Sequence, residues 1–230
     1  MKTKIVCINK NFSKESYSII INEVKKIKNK IIIISGGRTI KSLFRTGKKK
    51  ILTVSGKTFV LSDERFYKDL KDKRTNYHII KKYFISKLNK KKNLFVYFHL
   101  NSPVRSSFKF FLLYLERNLA KVAFLSLGED GHICSIFKNI KIKIKSKYLM
   151  LVKPNNKITR FTITKNYLKK IKNIYIFVKG DKKGFMLNKI LKSKNSKIYP
   201  SVALNNVIYV IDKKAFNRLD LRIRNKCLKF

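Results

Sequence analysis

Acidic side chains are scarce in this chain of 230 residues: 12 Asp and Glu stand against 56 Lys and Arg, a formal net charge of +44. Cysteine and proline are also rare, three of each, glycine occurs eight times, and tryptophan is absent. Each shortage excludes something. Cys7, Cys134 and Cys227 are isolated, without paired spacing, which argues against a disulfide framework or a cysteine-built zinc site and fits a reducing compartment. No Pro/Gly/Ser linker divides the chain and no repeat of ~20–50 residues recurs, so residues 1–230 are expected to form a single domain. No apolar run approaches the ~20 residues that span a bilayer, and no membrane partner is expected. Lys4, Asn9 and Lys10 interrupt the first apolar residues where a signal peptide would need a continuous core, so a cytoplasmic protein is expected.

The basic excess would draw any polyanion. The lysines, however, are spread along the chain, in Lys48-Lys49-Lys50, Lys90-Lys91-Lys92, Lys141 to Lys147 and Lys169-Lys170. They form no basic arm, and no nucleic-acid-binding signature accompanies them. Lysine, isoleucine and asparagine together are what A/T-rich codons produce. The charge therefore reads as drift onto a solvated surface, and no specific nucleic-acid partner is expected. A relict fold acting as a polyanion binder is the alternative from another functional class.

Apolar patterning alternates strands with helices. Lys4 to Ile8 is a short strand, followed by a helix from Lys14 to about Lys28 that Ser13 would cap. Ile31 to Ile34 is a β-branched run suited to a parallel strand buried on both faces. Thr58 to Leu61, Asn93 to Leu100, Val122 to Leu127, Tyr148 to Val152, Arg160 to Thr164, Asn173 to Val178 and Val207 to Ile211 are further strands. Helices are expected after Arg38, from Thr75 to about Leu88, from Val104 to Leu119, from Lys183 to about Lys192 and from Lys213 to Leu219. Phe108, Phe110 and Phe111 are expected in the core. This alternation implies an α/β fold with a largely parallel sheet and helices on both faces.

On a surface drifting towards lysine, the rare residues carry the information. Six of the eight glycines fall in three places: Gly36-Gly37, Gly128 with Gly131, and Gly180 with Gly184. The adjacent acid pairs are Asp63-Glu64 and Glu129-Asp130, each at the carboxyl end of an apolar run, where α/β proteins bind ligands. After the strand ending at Leu127 come Gly128-Glu129-Asp130-Gly131-His132, read as a tight turn and a helix start that presents an imidazole. His132 is the leading catalytic candidate, because imidazole titrates near neutrality. Ser35-Gly36-Gly37 between a strand and a helix is the recipe for an anion site, with backbone N–H groups converging at a helix N-terminus. His78 and His99 lack neighbouring acids or cysteines in ligand spacing, so no metal is expected.

Taken together, these segments resemble the 6-phosphogluconolactonases, which are related to glucosamine-6-phosphate deaminase. Ser35-Gly36-Gly37-Arg38-Thr39 resembles the family's Ser-Gly-Gly-Ser-Thr-Pro turn, and Asp63-Glu64-Arg65 with Thr75-Asn76 its Asp-Glu-Arg and Ser-Asn. Gly128 to Phe137 resembles Gly-x-Asp-Gly-His-x-Ala-Ser-Leu-Phe. Arg160-Phe161-Thr162 resembles Arg-x-Thr, and Gly180 with Lys183 resembles the late Gly-x-x-Lys. The resemblance spans residues 31 to 215 and implies a Rossmann-like, glucosamine-6-phosphate deaminase-like fold. It also implies hydrolysis of 6-phosphoglucono-δ-lactone to 6-phosphogluconate, the second step of the oxidative pentose phosphate pathway, by a monomer without a cofactor. His132 would be the base that activates water, Asp130 would orient its ring, and Asp63 would hold Arg65 or sugar hydroxyls. Ser35, Gly36, Gly37, Arg65, Arg160 and Lys183 would bind the phosphate.

The chain departs from this pattern at several points. Arg38 stands for a small serine, Ile40 for proline, Ser126 for the first glycine of Gly-x-Gly and Thr75 for serine. The tryptophan often found before Asp-Glu-Arg is missing. The deaminase branch is the alternative. It would have tyrosine where Arg65 stands and an Asn-Glu-Pro-like segment in place of Ser135-Ile136-Phe137.

Overall fold

The computed structural model describes residues 3–27, 31–47, 54–67, 72–88, 92–99, 102–138, 140–154 and 158–229. Lys48 to Lys50, Lys90, Lys91 and Asn155-Asn156, between the strands expected at Tyr148 to Val152 and Arg160 to Thr164, lie outside the described residues. The chain opens with β1 (Lys4–Ile8), α1 (Phe12–Lys26), β2 (Ile31–Ile34), α2 (Gly37–Thr46) and β3 (Lys57–Leu61). A short β4 (Asp63–Arg65) precedes α3 (Asn76–Tyr83), β5 (Asn93–Val96), α4 (Val104–Arg117) and β6 (Val122–Ser126). Next come β7 (Ile140–Lys145), β8 (Leu149–Pro154), β9 (Arg160–Ile163), α5 (Lys165–Leu168), β10 (Asn173–Val178) and α6 (Asp181–Lys192). The chain closes with β11 (Val207–Asp212), α7 (Lys213–Phe216), α8 (Leu221–Arg224) and β12 (Leu228–Lys229).

Among the described residues, eight strands form a sheet in the order β12-β1-β11-β10-β6-β2-β3-β5, parallel at every pairing. Its central strands are apolar on both faces, as a covered parallel sheet requires. Along β2 the alternation is visible residue by residue. Ile32 and Ile34 pack into a core with Tyr17, Ile20 and Val24 of α1, Leu43 and Phe44 of α2, and Ile80 of α3. Ile33 points the other way, into a core with Phe111 and Leu115 of α4, Leu187 and Ile190 of α6, and Phe161 of β9.

Chain order fixes where a ligand would bind. From β2 the sheet grows through β3 to β5 in one direction, and then β6 returns to the other side of β2 and growth continues through β10 to β11. That reversal leaves a crevice beyond the carboxyl ends of β2 and β6, where doubly wound sheets bind ligands. Ser35 N–H donates to the Phe124 carbonyl across this junction, 3.0 Å.

A second, antiparallel sheet, β4-β9-β8-β7, is a feature the residue patterning did not announce. The run Ile140-Lys141-Ile142-Lys143-Ile144-Lys145, read above as part of a lysine-rich surface, is its edge strand β7, with a bulge between Ile142 and Ile144. Lysines on an exposed edge discourage further strand pairing. Other expectations also change. Asn11, with φ 50°, precedes α1 and offers no capping side chain, while Ser13 Oγ donates to Ser42 Oγ instead. Phe108 and Phe111 are buried as expected, but Phe110 is 56% exposed.

Candidate active site

Ten residues line a cleft of about 50 Å³ at the switch point: Ser35, Gly36, Gly37, Asp63, Arg65, Asn76, Ser126, His132, Cys134 and Arg160. Seven of the nine site residues expected from the sequence are therefore brought together. Asp130 and Lys183 stand beside the cleft and act on residues that border it.

One wall is the start of α2. The Gly36 N-cap supplies no capping side chain, so the first N–H groups of the helix, which have no acceptor within it, are available to an anion. Ser35 is only 4% exposed and its hydroxyl has no hydrogen-bond partner among the described residues. A Cβ on Gly36 would lie 2.3 Å from Asn76 Oδ1, so glycine is what allows this turn to close against α3. Ser126, by contrast, causes no crowding, since its hydroxyl would be 3.8 Å from a Cβ at Gly37. Ile40 replaces proline with a fully buried side chain packed in the core. On the outer side, Lys183 Nζ donates to Thr39 Oγ1 at 2.9 Å. Burial lowers the Lys183 pKa to about 8, with Glu129 opposing and Arg38 adding to the shift.

The opposite wall is the loop after β6, and here the expected helix start at His132 is corrected. Gly128 N–H donates to the His132 carbonyl (2.8 Å), Gly131 N–H to the Gly128 carbonyl (3.2 Å), and Ile136 N–H to the Ile133 carbonyl (3.0 Å). Gly131 and Cys134 have φ of 86° and 53°, values that a right-handed helix cannot include. Ile133, Ile136 and Phe137 mimic helical spacing but bury themselves from a folded loop. His132 Nδ1 bonds Asp130 Oδ1, and its backbone N–H donates to the same oxygen at 3.3 Å. A carboxylate accepting from Nδ1–H leaves Nε2 as the basic nitrogen, a tautomer assigned from the hydrogen-bond network. The ring also packs on Phe137, centroids 4.2 Å apart.

Of the two partners expected for Asp63, Arg65 and the sugar hydroxyls, the structure speaks to the first. Asp63 is 4% exposed, and its two oxygens accept from Ser62 Oγ and Ser135 Oγ, both at 2.7 Å. It thus ties the end of β3 to the imidazole loop and does not hold Arg65, whose Nη1 donates to the Arg74 carbonyl. Asp72, the nearby acid in the loop after β4, pairs with Arg74 at 2.6 Å.

Arg160 arrives from β9, opposite Arg65 of β4 in the antiparallel pairing. Its Nη1 lies 3.4 Å from Ser135 Oγ, its guanidinium covers Phe137 at 5.1 Å, and its buried Nε has no partner among the described residues. Phe137 thereby contacts both the base candidate and an arginine. Burial lowers the Arg160 pKa while Asp63 opposes the shift.

Three residues missing from the expected set support the site. Ser135 N–H donates to Thr162 Oγ1 at 3.1 Å, fixing the loop to β9. Asn76 Nδ2 donates to the Asp63 carbonyl at 2.9 Å. Glu64, 0% exposed, accepts from the N–H groups of Arg65, Asn76 and Tyr77 at 2.6–2.8 Å and so anchors the start of α3. Burial pushes the Glu64 carboxyl up to about 7, against those three donors. The Asp-Glu-Arg and Thr-Asn segments contained the signal, but which carboxylate faced the cleft depended on the strand's pleat. Burial, with Asp63 adding, raises the Cys134 thiol pKa well above the ordinary value, which disfavours the nucleophilic thiolate.

Known proteins share this architecture. A 6-phosphogluconolactonase from Borreliella burgdorferi is 29% identical over 140 residues, covering 57% of this chain and 59% of that protein. The chain thus matches less than two thirds of the length of this curated relative. Among solved structures, a 6-phosphogluconolactonase from Shewanella baltica superimposes with a TM-score of 0.73 at 17% identity, over 92% of this chain and 97% of the other. A monomeric glucosamine-6-phosphate deaminase gives 0.75 at 16% identity, over 94% and 99%. Such distant likenesses establish the fold, which proteins named for either activity share. The family model described as glucosamine-6-phosphate isomerases/6-phosphogluconolactonase matches residues 10–209, and the chain belongs to that family.

Proposed function

We propose that this chain hydrolyses 6-phosphoglucono-δ-lactone to 6-phosphogluconate as a carboxylic ester hydrolase. The observation that carries the reading is the His132–Asp130 pair, which leaves Nε2 as a base in a cleft also lined by Arg160, Arg65 and the Ser35-Gly36-Gly37 turn. The first turn of α2 and the Ser35 hydroxyl take the phosphate, with Lys183 alongside. Arg65 and Arg160 add the positive charge that a phosphate and a developing oxyanion require. A cleft of about 50 Å³ admits a phosphate or a reacting water, so the sugar body lies in its open mouth.

In the reaction His132 Nε2 takes a proton from water as the water oxygen bonds to the lactone carbonyl carbon. Negative charge develops on the carbonyl oxygen and is stabilised by the neighbouring guanidinium of Arg160. Collapse breaks the ring C–O bond, and the imidazolium returns its proton to the leaving ring oxygen. Asp130 holds the ring and stabilises its charged form. Asp63 positions the loop through Ser135.

Several observations favour this activity over deamination of glucosamine 6-phosphate: the curated relative is named a lactonase, and Arg65 and Ser135-Ile136-Phe137 occupy the positions where the deaminase pattern differs. The test is acid release from freshly generated lactone. Purified protein is expected to exceed the spontaneous rate, and His132→Ala to lose roughly 10²–10⁴-fold in kcat. No rate above background, or ammonia release from glucosamine 6-phosphate instead, overturns the assignment.

A further inference from the structure

Arg38 and Glu129 are 91 residues apart in sequence, yet Arg38 Nη2 lies 3.0 Å from Glu129 Oε1. The pair connects the two walls of the cleft, one residue from the first turn of α2 and the other from the imidazole loop. Its position separates it from an ordinary surface ion pair. Arg38 follows Gly37 at the uncapped start of α2, and Lys183 sits on Thr39, the next residue. Lys183 feels the charges of both Glu129 and Arg38, so the three form one electrostatic group. The Ser35 hydroxyl, 4% exposed and without a partner among the described residues, belongs to the turn that leads into the same helix. Two cations thus stand at an uncapped helix start that follows the Ser35 turn, and the carboxylate paired with Arg38 there is that of Glu129.

A phosphate dianion is better suited to these donors than a carboxylate. It carries more charge and offers three oxygens to a guanidinium fork. The existing pair is cheap to open, because the Arg38 and Glu129 side chains are 89% and 44% exposed. We propose that Glu129 competes with the phosphate group of the substrate for Arg38, so that Arg38 is a specificity-determining residue for phosphorylated over unphosphorylated sugar acids. The proposal rests on the phosphosugar reading and adds to it a residue that stands where the family pattern has serine.

The test is a double-substitution cycle read by calorimetric binding of 6-phosphogluconate, inorganic phosphate and gluconate to the full chain. Glu129→Gln is expected to tighten 6-phosphogluconate and inorganic phosphate about 2- to 5-fold, the strength of an exposed ion pair, and to leave gluconate unchanged. Arg38→Ser is expected to weaken both phosphate ligands by about 10-fold, the effect of a lost charged hydrogen bond. With Arg38→Ser present, Glu129→Gln should bring no gain, because the competition is for that guanidinium. Unchanged or weaker phosphate binding in Glu129→Gln overturns the proposal, as does an equal gain with or without Arg38, which would reflect general charge. Circular dichroism of each variant excludes misfolding as the cause. If the unaltered protein hydrolyses the lactone while the cycle fails, only the competition falls. If it neither hydrolyses the lactone nor binds 6-phosphogluconate, the phosphosugar reading falls with it.

Discussion

The turn after β2 and the loop after β6 face each other across one cleft, on adjacent strands, and are built in opposite ways. The first leaves its donors open: α2 starts without a side-chain cap and the Ser35 hydroxyl is buried without a partner. The second spends its donors internally. Gly128 N–H, His132 N–H and Nδ1, Ser135 N–H and Ser135 Oγ all have partners, and the result is an imidazole fixed by Asp130 and Phe137. An unsatisfied turn is suited to binding, since a ligand supplies what the protein withholds. A self-satisfied loop is suited to positioning, since a reacting group must not wander. Substitutions in the two should therefore separate binding from turnover.

Among changes that test this contrast without removing the base itself, the largest effect is expected from Gly128→Ala. The added Cβ would lie 2.1 Å from His132 Nδ1 and 2.7 Å from Asp130 Oδ1, so the pair must shift. A displacement of about 1 Å costs roughly 10²-fold in kcat, while KM for the lactone should change little. Steady-state kinetics on fresh lactone checks this, and a kcat near that of the unaltered protein would show that the loop's internal bonding does not serve the base.

A smaller effect is expected from pH. Lys183 has its pKa lowered to about 8, so its charge is present below that pH and lost above it. Affinity for 6-phosphogluconate should fall as pH rises through about 8, and Lys183→Met should bind more weakly and lose that dependence. The stability consequence has the opposite sign. Between about 8 and the ordinary lysine value of 10.5 the unfolded chain binds the extra proton, so this group's contribution to stability rises with pH over that window. A phosphate affinity that is flat across pH 8 would remove Lys183 from the binding wall.

The smallest effect sharpens the contrast most. Ser35→Ala deletes a buried hydroxyl that has no partner among the described residues. Thermal stability should be unchanged or slightly higher, because an unsatisfied buried polar group is a cost of about 1–3 kcal/mol. Binding of 6-phosphogluconate should nevertheless weaken by roughly 3- to 10-fold, about 0.5–1.5 kcal/mol. A loss of stability without a loss of binding would make Ser35 a structural residue and erase the difference between the two walls.

Local spacing alone was enough to read the central strands. Ile31 to Ile34, Val122 to Leu127 and Asn173 to Val178 could bury both faces only in a covered parallel sheet, and their carboxyl ends mark the cleft. The cleft's glycines and acid pairs stood out because the rest of the surface had drifted towards lysine. The loop at His132 was misread as a helix start because Ile133, Ile136 and Phe137 imitate helical periodicity. Only the backbone, turned at Gly131 and Cys134, reveals how they are buried.

The sequence by itself determined the α/β alternation, the two turns at strand ends and the residue types available for acid–base chemistry and anion binding. Tertiary structure decided which of them meet. Asp63 reaches Ser135 across 72 residues, Arg38 reaches Glu129 across 91, and Lys183 reaches Thr39 across 144. It also paired β4 with β9, which sets Arg65 opposite Arg160. The physical reason is that periodicity encodes the face a side chain presents within its own element. The neighbour across the cleft is set by strand order and by the packing of two sheets, and no local spacing records either.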